Sequence, residues 1–119
     1  MNKVNLADKF ARFAEQWQPK IIGELNDSEV KIAKIQGAFV WHAHENEDEM
    51  FLIVKGRMTM RLRDGDVDLT EGEIFIVPRG VEHCPVAEEE CHILMVEPKG
   101  TLNTGNAKGE RTVERPERI

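Results

Sequence analysis

The chain has 119 residues, of which 40% are hydrophobic, and a formal net charge of −6 at pH 7. This length favours one domain with a single core, and the acidic balance argues against a nucleic-acid partner, because phosphate contacts need clustered Lys and Arg. No stretch approaches the roughly 20 apolar residues of a membrane helix, and the first residues carry no apolar signal-peptide core, so we expect a cytoplasmic protein without a membrane partner.

The first predicted element is a helix over residues 5–18, within an N-terminal segment at 1–19. Asn5 is a suitable cap, and Pro19 ends the helix. The apolar positions between them follow the 3.6-residue period of a helix: Leu6, Phe10, Phe13 and Trp17. We expect this helix to pack on the outside of a barrel or on a partner subunit.

Short apolar runs separated by turn residues fill the region 20–98, which indicates an all-β sandwich or barrel. The period of two is clearest at residues 57–63, and Asp64-Gly65 is a hairpin signal. We also predict a strand at 40–44 and a last hairpin whose tip lies near residues 87–89. Residues 99–119 have no apolar period, so we predict a C-terminal arm that is partly extended or disordered.

The two cysteines, Cys84 and Cys91, lie on opposite arms of this last predicted hairpin. A cross-strand disulfide is therefore geometrically conceivable. A reducing cytosol instead favours two free thiols.

Three histidines and one glutamate have the spacing of a metal site in a β-barrel. His42 and His44 are two residues apart, so on a strand they share a face. Glu49 begins the next apolar run, and His83 follows the turn at 78–80. Because imidazole suits Zn, Cu, Fe and Ni, and a carboxylate extends the range to Mn, we predict one divalent transition metal at these four residues.

Two other interpretations of this pattern remain open. Glu47 replaces Glu49 as ligand if the strand slips by two residues, since such a slip keeps the same face. Alternatively, the histidines are ordinary strand residues held by packing, and the barrel is purely structural. That interpretation predicts no stoichiometric metal.

The same residues resemble the two motifs of the cupin superfamily. The first motif is a Gly, a His-x-His pair, a Glu and a Gly, here Gly37, His42, His44, Glu49 and Gly56. The second is Gly, Pro-x-Gly and His, here Gly72, Pro78, Gly80 and His83. Two details depart from the pattern: four residues instead of five separate Gly37 from His42, and Ala87 stands where Asn often ends the second motif.

This resemblance implies a cupin double-stranded β-helix, or jelly-roll barrel, over residues 20–98, with metal ligands at His42, His44, Glu49 and His83. More closely, the chain is similar to small single-domain bacterial cupins that carry a stretch like the one at Gly100–Gly105. Members of that group are loosely described as mannose-6-phosphate isomerase-like, which expresses kinship of fold and says little about substrate.

A small-molecule pocket is expected inside the barrel near the metal. We predict that four side chains line it: Phe51, Met58, Met60 and His92. His92 has the alternative of being a packed core residue. Trp41 is expected to point away from the metal, and Arg61 and Arg63 are expected at the surface.

The expected function is a metal-dependent enzyme of the oxygenase, isomerase or lyase type that acts on a small molecule, with catalytic residues beyond the ligands unknown. The alternative is a non-catalytic binding or sensing module. A homodimer is also expected, because sheet edges and the outward apolar positions Met50, Leu52 and Val54 need cover.

Overall fold

A computed structural model describes all 119 residues and consists of eight strands and one short helix. No helix in it combines the length and the apolar character that crossing a bilayer requires. The all-β jelly-roll expected from the sequence is confirmed. In chain order the elements are α1 (Leu6–Phe10), β1 (Lys20–Leu25), β2 (Ser28–Ala38), β3 (Glu49–Lys55), β4 (Arg57–Leu62), β5 (Gly65–Thr70), β6 (Ile74–Val77), β7 (His83–Pro98) and β8 (Glu117–Arg118).

The longest strand, β7, organises the sheet. One of its edges pairs with β2, from Ser28↔Pro98 to Ala38↔Val86. Its other edge pairs first with β4 and then with β3. Strand β1 pairs with β2, β5 with β4, and β6 with β3. As a result, the first residue of β3, Glu49, lies beside the C-terminal end of β7, although the two are far apart in the sequence.

Because β7 is continuous, the predicted hairpin with its tip near residues 87–89 is wrong. Residues 88–90 are exposed, and they lie where the β2–β7 register shifts between Ile35 and Gly37. Cys84 and Cys91 therefore sit on one strand, on the order of 20 Å apart along an extended chain. A disulfide between them is excluded at that distance, and both are buried free thiols.

The predicted N-terminal helix is much shorter in the structure. Asn5 caps it as expected, accepting a hydrogen bond from the Asp8 backbone, but it ends at Phe10. Beyond it the chain runs beside β2: Gln16 forms a parallel bridge with Lys34, and Trp17 adopts φ +61°. Helical spacing of the aromatic residues was misleading, because Trp17 reaches the barrel core through an irregular segment.

The core has two parts, inside and outside the barrel. Inward residues of the strands form the main cluster, which includes Met58, Met60, Phe51, Ile53, Ile93 and Met95. A smaller cluster outside the barrel joins Phe10 and Phe13 to Ile32 of β2. Alternating burial along β3 and β7 separates the two clusters. Alternate residues of these two strands therefore line the barrel interior.

The C-terminal arm over residues 99–119 follows a defined path across the barrel. Its last residues form β8, which pairs in parallel with β1, and the Ile119 N–H donates to the Ile21 carbonyl. Before β8 the arm consists of turns. One of these turns lies against the residues that precede β3, beside the centre described next.

Candidate metal centre

The structure brings all four predicted ligands together. His42, His44, Glu49 and His83 each offer a ligand atom, and these atoms lie within 4.8 Å of one another. Each of the four residues is at most 4% exposed. Glu47 is outside this cluster and partly exposed, so the alternative ligand set is not the one that the fold assembles.

Backbone pairing, and not the predicted strand, places the histidines. Residues 40–44 form no regular strand. Instead, His42 and His83 make an isolated antiparallel bridge. His42 N–H donates to the His83 carbonyl at 3.1 Å, and His83 N–H donates back at 2.9 Å. Glu49 is the first residue of β3, and the His44 carbonyl accepts from Gly80 N–H at 2.8 Å.

Two of the three imidazoles are oriented by backbone carbonyls. Nδ1 of His42 lies 2.8 Å from the Val40 carbonyl oxygen, and Nδ1 of His83 lies 2.9 Å from that of Val81. A carbonyl oxygen can only accept, so each Nδ1 carries the proton and each Nε2 keeps its lone pair. Such outer hydrogen bonds are typical of metal-binding histidines. No comparable bond holds the His44 ring.

Several polar atoms of the cluster are buried without a hydrogen-bond partner: both ring nitrogens of His44, Nε2 of His83 and Oε1 of Glu49. Nε2 of His44 and of His83 lie 3.3 and 3.4 Å from Glu49 Oε1. Each unsatisfied buried polar group costs about 1–3 kcal/mol. A cation bound between them would satisfy these atoms together, and three imidazoles with one carboxylate suit a divalent transition metal.

At neutral pH, the electrostatics of the cluster favour the deprotonated forms of His42 and Glu49, which are the forms that bind a metal. Burial, helped by the neighbouring His83, lowers the pKa of His42 to about 4, so its imidazole is neutral. Burial opposes ionisation of Glu49, yet the adjacent Glu97, His44 and His83 hold its pKa well below the ordinary value. Metal ligands must be deprotonated, and His42 and Glu49 both meet this condition.

A second buried acid, Glu97 on β7, lies beside Glu49. Burial and then the negative charge of Glu49 raise the pKa of Glu97 well above its ordinary range, so that this carboxyl group keeps its proton. Its Oε1 lies 2.9 Å from Nζ of Lys31, which is 2% exposed and also 3.7 Å from Glu29. Sequence reasoning missed Glu97, although it shares the parity of Cys91, Ile93 and Met95 on β7.

An apolar cavity of about 40 Å³ adjoins the cluster, which is room for roughly three water molecules. Its lining combines polar ends with apolar walls: Trp17, Pro19, Ala33, Ile35, Phe39, His42, Glu49, Phe51, Pro85, Ile93, Met95, Glu97 and Asn103. Oε2 of Glu97 is buried there without a partner. Trp17 and Phe39 stack at 4.7 Å between ring centroids and form one wall.

Only one of the four predicted pocket residues, Phe51, lines this cavity. Met58 and Met60 belong to the main core cluster and do not line this cavity. His92 is outside the barrel, where its ring stacks on Phe10 at 4.5 Å. The inward parity of β7 belongs to Cys91 and Ile93, so the prediction that His92 lines the pocket is wrong.

The outward residues lie where the sequence suggested. The guanidinium carbon of Arg63 is 3.8 Å from the centroid of the Trp41 ring, and that of Arg61 is 5.4 Å away. Both arginine side chains are more than half exposed. Trp41 therefore packs against these two exposed arginines.

Comparison with known proteins gives a consistent family. The family model described as a cupin domain matches residues 28–97. A cupin-2 domain protein of known structure from Shewanella frigidimarina is 43% identical, with a TM-score of 0.80, covering 81% of this chain and 94% of that one.

Two curated relatives match shorter stretches. The uncharacterized protein YdbB of Bacillus subtilis is 30% identical over 63 residues, which are 52% of this chain and 56% of that protein. The 3-hydroxyanthranilate 3,4-dioxygenase of Ruegeria pomeroyi is 40% identical over 57 residues, which are 44% of this chain and 32% of the enzyme. The chain thus spans about half or less of the length of the curated relatives it matches.

Proposed function

The chain belongs to the cupin domain family, and on that premise we propose that it is a metal-dependent enzyme acting on a small molecule held in the barrel. The ligands in this proposal are His42, His44, Glu49 and His83, which bind one divalent ion of Fe, Mn, Ni, Cu or Zn. The reaction is of the oxygenase, isomerase or lyase type.

One observation carries this proposal: the buried cluster has unpartnered donor atoms and borders an apolar cavity. A packed structural core satisfies its polar groups, whereas here atoms of three of the four cluster residues have no hydrogen-bond partner. His42 and His83 are already turned so that Nε2 is free. The lining of this cavity has the mostly apolar walls and few convergent polar groups of small-molecule pockets, and its volume of about 40 Å³ admits one small group of a ligand beside the cluster.

The protein's residues divide the work of such a site between them. A bound ion would supply Lewis acidity and, if it is redox-active, reactivity toward O₂. His42 and His83 bind it through Nε2, while Trp17, Phe39 and Phe51 exclude water from the adjoining space. Glu97 presents its unpartnered oxygen to the cavity, where it can hydrogen-bond a polar group of the bound molecule.

The oxygenase type is the first reaction class to test. The similarity to a 3-hydroxyanthranilate 3,4-dioxygenase supports it, over a stretch that is 32% of that enzyme. Three histidines and one carboxylate also resemble the His-and-carboxylate sets that hold non-haem iron. The substrate of the relative is not transferred to this chain, because most of that enzyme lies outside the matched stretch.

The test measures metal content of untagged protein by plasma mass spectrometry, with His44→Ala as the control variant. We expect about one equivalent of metal in the wild type and a loss of it in the variant. Oxygen uptake is then screened with small aromatic and hydroxylated compounds on the Fe- or Mn-loaded protein. Absence of metal after reconstitution would contradict the proposal, and tight ligand binding without turnover would favour a sensing module.

We propose in addition that the protein is a homodimer. Strand β6 pairs only with β3, and Ile74 and Ile76 on it are each 57% exposed. Met50 and Leu52 of β3 pair with Ile76 and Ile74, and both are only partly buried, as is Val54 farther along the same face. An apolar edge strand needs cover to avoid uncontrolled association. Light scattering at micromolar concentration tests this, and a monomer would contradict it.

A further inference from the structure

We propose that residues 101–107 of the C-terminal arm act as a clamp that positions His44 for the metal, with Gly105 and Asn106 as the positioning residues. This inference rests on the proposed metal site and assigns a role to the Gly100–Gly105 stretch, which the ligand set does not explain. The His44 ring lacks the carbonyl partner that orients His42 and His83. Something else must hold it.

Gly105 approaches the ligand segment more closely than any other residue type can. A Cβ atom at this position would lie 2.3 Å from the Ala43 carbonyl oxygen and 3.1 Å from Nδ1 of His44. Its φ of +52° also lies in the left-handed region that favours glycine. Any side chain here would push away either the arm or the backbone between His42 and His44.

Asn106 hydrogen-bonds both backbone groups of Ala43. Its N–H donates to the Ala43 carbonyl at 3.1 Å, and its Oδ1 accepts from the Ala43 N–H at 3.0 Å. Ala43 is the residue between the two ligands, so one arm residue satisfies both of its backbone groups. Because Ala43 is buried, water does not replace these bonds without rearrangement. The pair therefore fixes the direction in which His44 leaves the chain.

The arm itself is held firmly enough to transmit this constraint. Thr104 is completely buried, and its hydroxyl lies 2.7 Å from that of Thr112. Asn103 closes the loop by donating to the Arg111 carbonyl at 2.8 Å and accepting from Val113 N–H at 2.9 Å. In other metal sites, outer-shell hydrogen bonds orient a ligand directly. Here the bonds of Asn103 and Thr104 hold the arm in place, and the arm in turn holds the backbone next to His44.

The experiment measures Co²⁺ affinity by chelator competition, together with the visible absorption of the Co²⁺-loaded protein. Gly105→Ala is expected to lower the affinity by about 10–100-fold and to change the absorption, as loss of outer-shell support does. Gly109→Ala is the matched control, since a Cβ there meets nothing within 4 Å, and it should bind like the wild type. Asn106→Ala should weaken binding less, and Asn106→Asp, which keeps the acceptor, should restore it.

Each outcome decides between the clamp and its alternatives. Unchanged affinity and absorption in both Gly105→Ala and Asn106→Ala would overturn the clamp, as would a loss confined to the unfolding midpoint of the metal-free protein. If Gly105→Ala does not fold, Asn106→Ala and its Asp counterpart carry the test alone. A wild-type protein that binds no Co²⁺ would instead refute the proposed metal site, and the clamp with it.

Discussion

His42 and His83 are joined through their backbones by two reciprocal hydrogen bonds, of 3.1 and 2.9 Å, although they lie far apart in the chain. Their ring centroids are consequently 4.2 Å apart. This bridge depends on no side chain. Two of the four ligands are therefore brought together by backbone pairing alone, and their side chains are free to serve the metal.

The first prediction is that His83→Ala removes metal binding but leaves the fold in place. The backbone bridge to His42 persists in the variant, while one nitrogen ligand is lost. We expect metal affinity to fall by more than about 100-fold, beyond the effect of an outer-shell change. Metal content and circular dichroism measured on the same sample check this. An unfolded variant would contradict the expectation that the His83 backbone supports the fold while its side chain serves only the metal.

His92→Ala is the matched control for that experiment. His92 stacks on Phe10 outside the barrel and contacts no ligand. Its removal should leave the metal content unchanged, with a modest loss of stability from the broken stacking. A loss of metal in His92→Ala would mean that the assignment of its face is incorrect.

The second prediction is that metal stabilises the folded protein. The ligand atoms are within 4.8 Å of one another only in the folded chain, so an ion binds that state preferentially. At a concentration 100 times the dissociation constant, the gain is about 2.7 kcal/mol, which raises Tm by on the order of 10 °C. Thermal unfolding with and without metal measures this, and His44→Ala should show almost no shift.

The ligands were predictable from the sequence because spacing and turn glycines constrain them directly. His42, His44 and His83 lie at fixed distances from Gly56 and Gly80, both of which adopt positive φ. Strand pairing then brings Glu49 to the same place. The strand assigned to residues 40–44 was nevertheless wrong, since a single bridge at His42 suffices to position the pair.

The path of the arm was not predictable, because no apolar pattern specifies it. Asn103, Thr104 and Asn106 hold it through individual hydrogen bonds to partners that no local spacing identifies. The false hairpin in β7 has a related cause: the Glu88–Glu90 run is polar and exposed, and it interrupts the apolar pattern of the strand. It is in fact the solvated part of a strand that changes partners from β4 to β3.

The third prediction concerns the buried lysine beside the centre. Lys31 offsets the charge of Glu29 and contacts the carboxyl group of Glu97, so Lys31→Met leaves both buried acids without this partner and should destabilise the metal-free protein by about 3 kcal/mol or more. Adding Glu97→Met removes the buried carboxyl group that Lys31 contacts at 2.9 Å, so no polar group is left unsatisfied at that position. We expect the double variant to recover at least about 1 kcal/mol. Urea unfolding of the four proteins in this cycle measures the coupling, and strict additivity would disprove it.

The fourth prediction is a loss of stability at high pH that depends on Cys91. Burial, and then the negative charge of Glu71, raises the pKa of this thiol from 9.0 to about 11. The folded state therefore holds the proton longer than the unfolded state, so the stabilisation is complete below pH 9 and disappears as the pH rises through 11. The expected loss from Cys91 is about 2 kcal/mol between pH 8 and pH 10.5. Urea unfolding at these two pH values, compared with Cys91→Ala, isolates this contribution. The variant should start less stable and decline less steeply, whereas equal declines would show that other groups cause the effect.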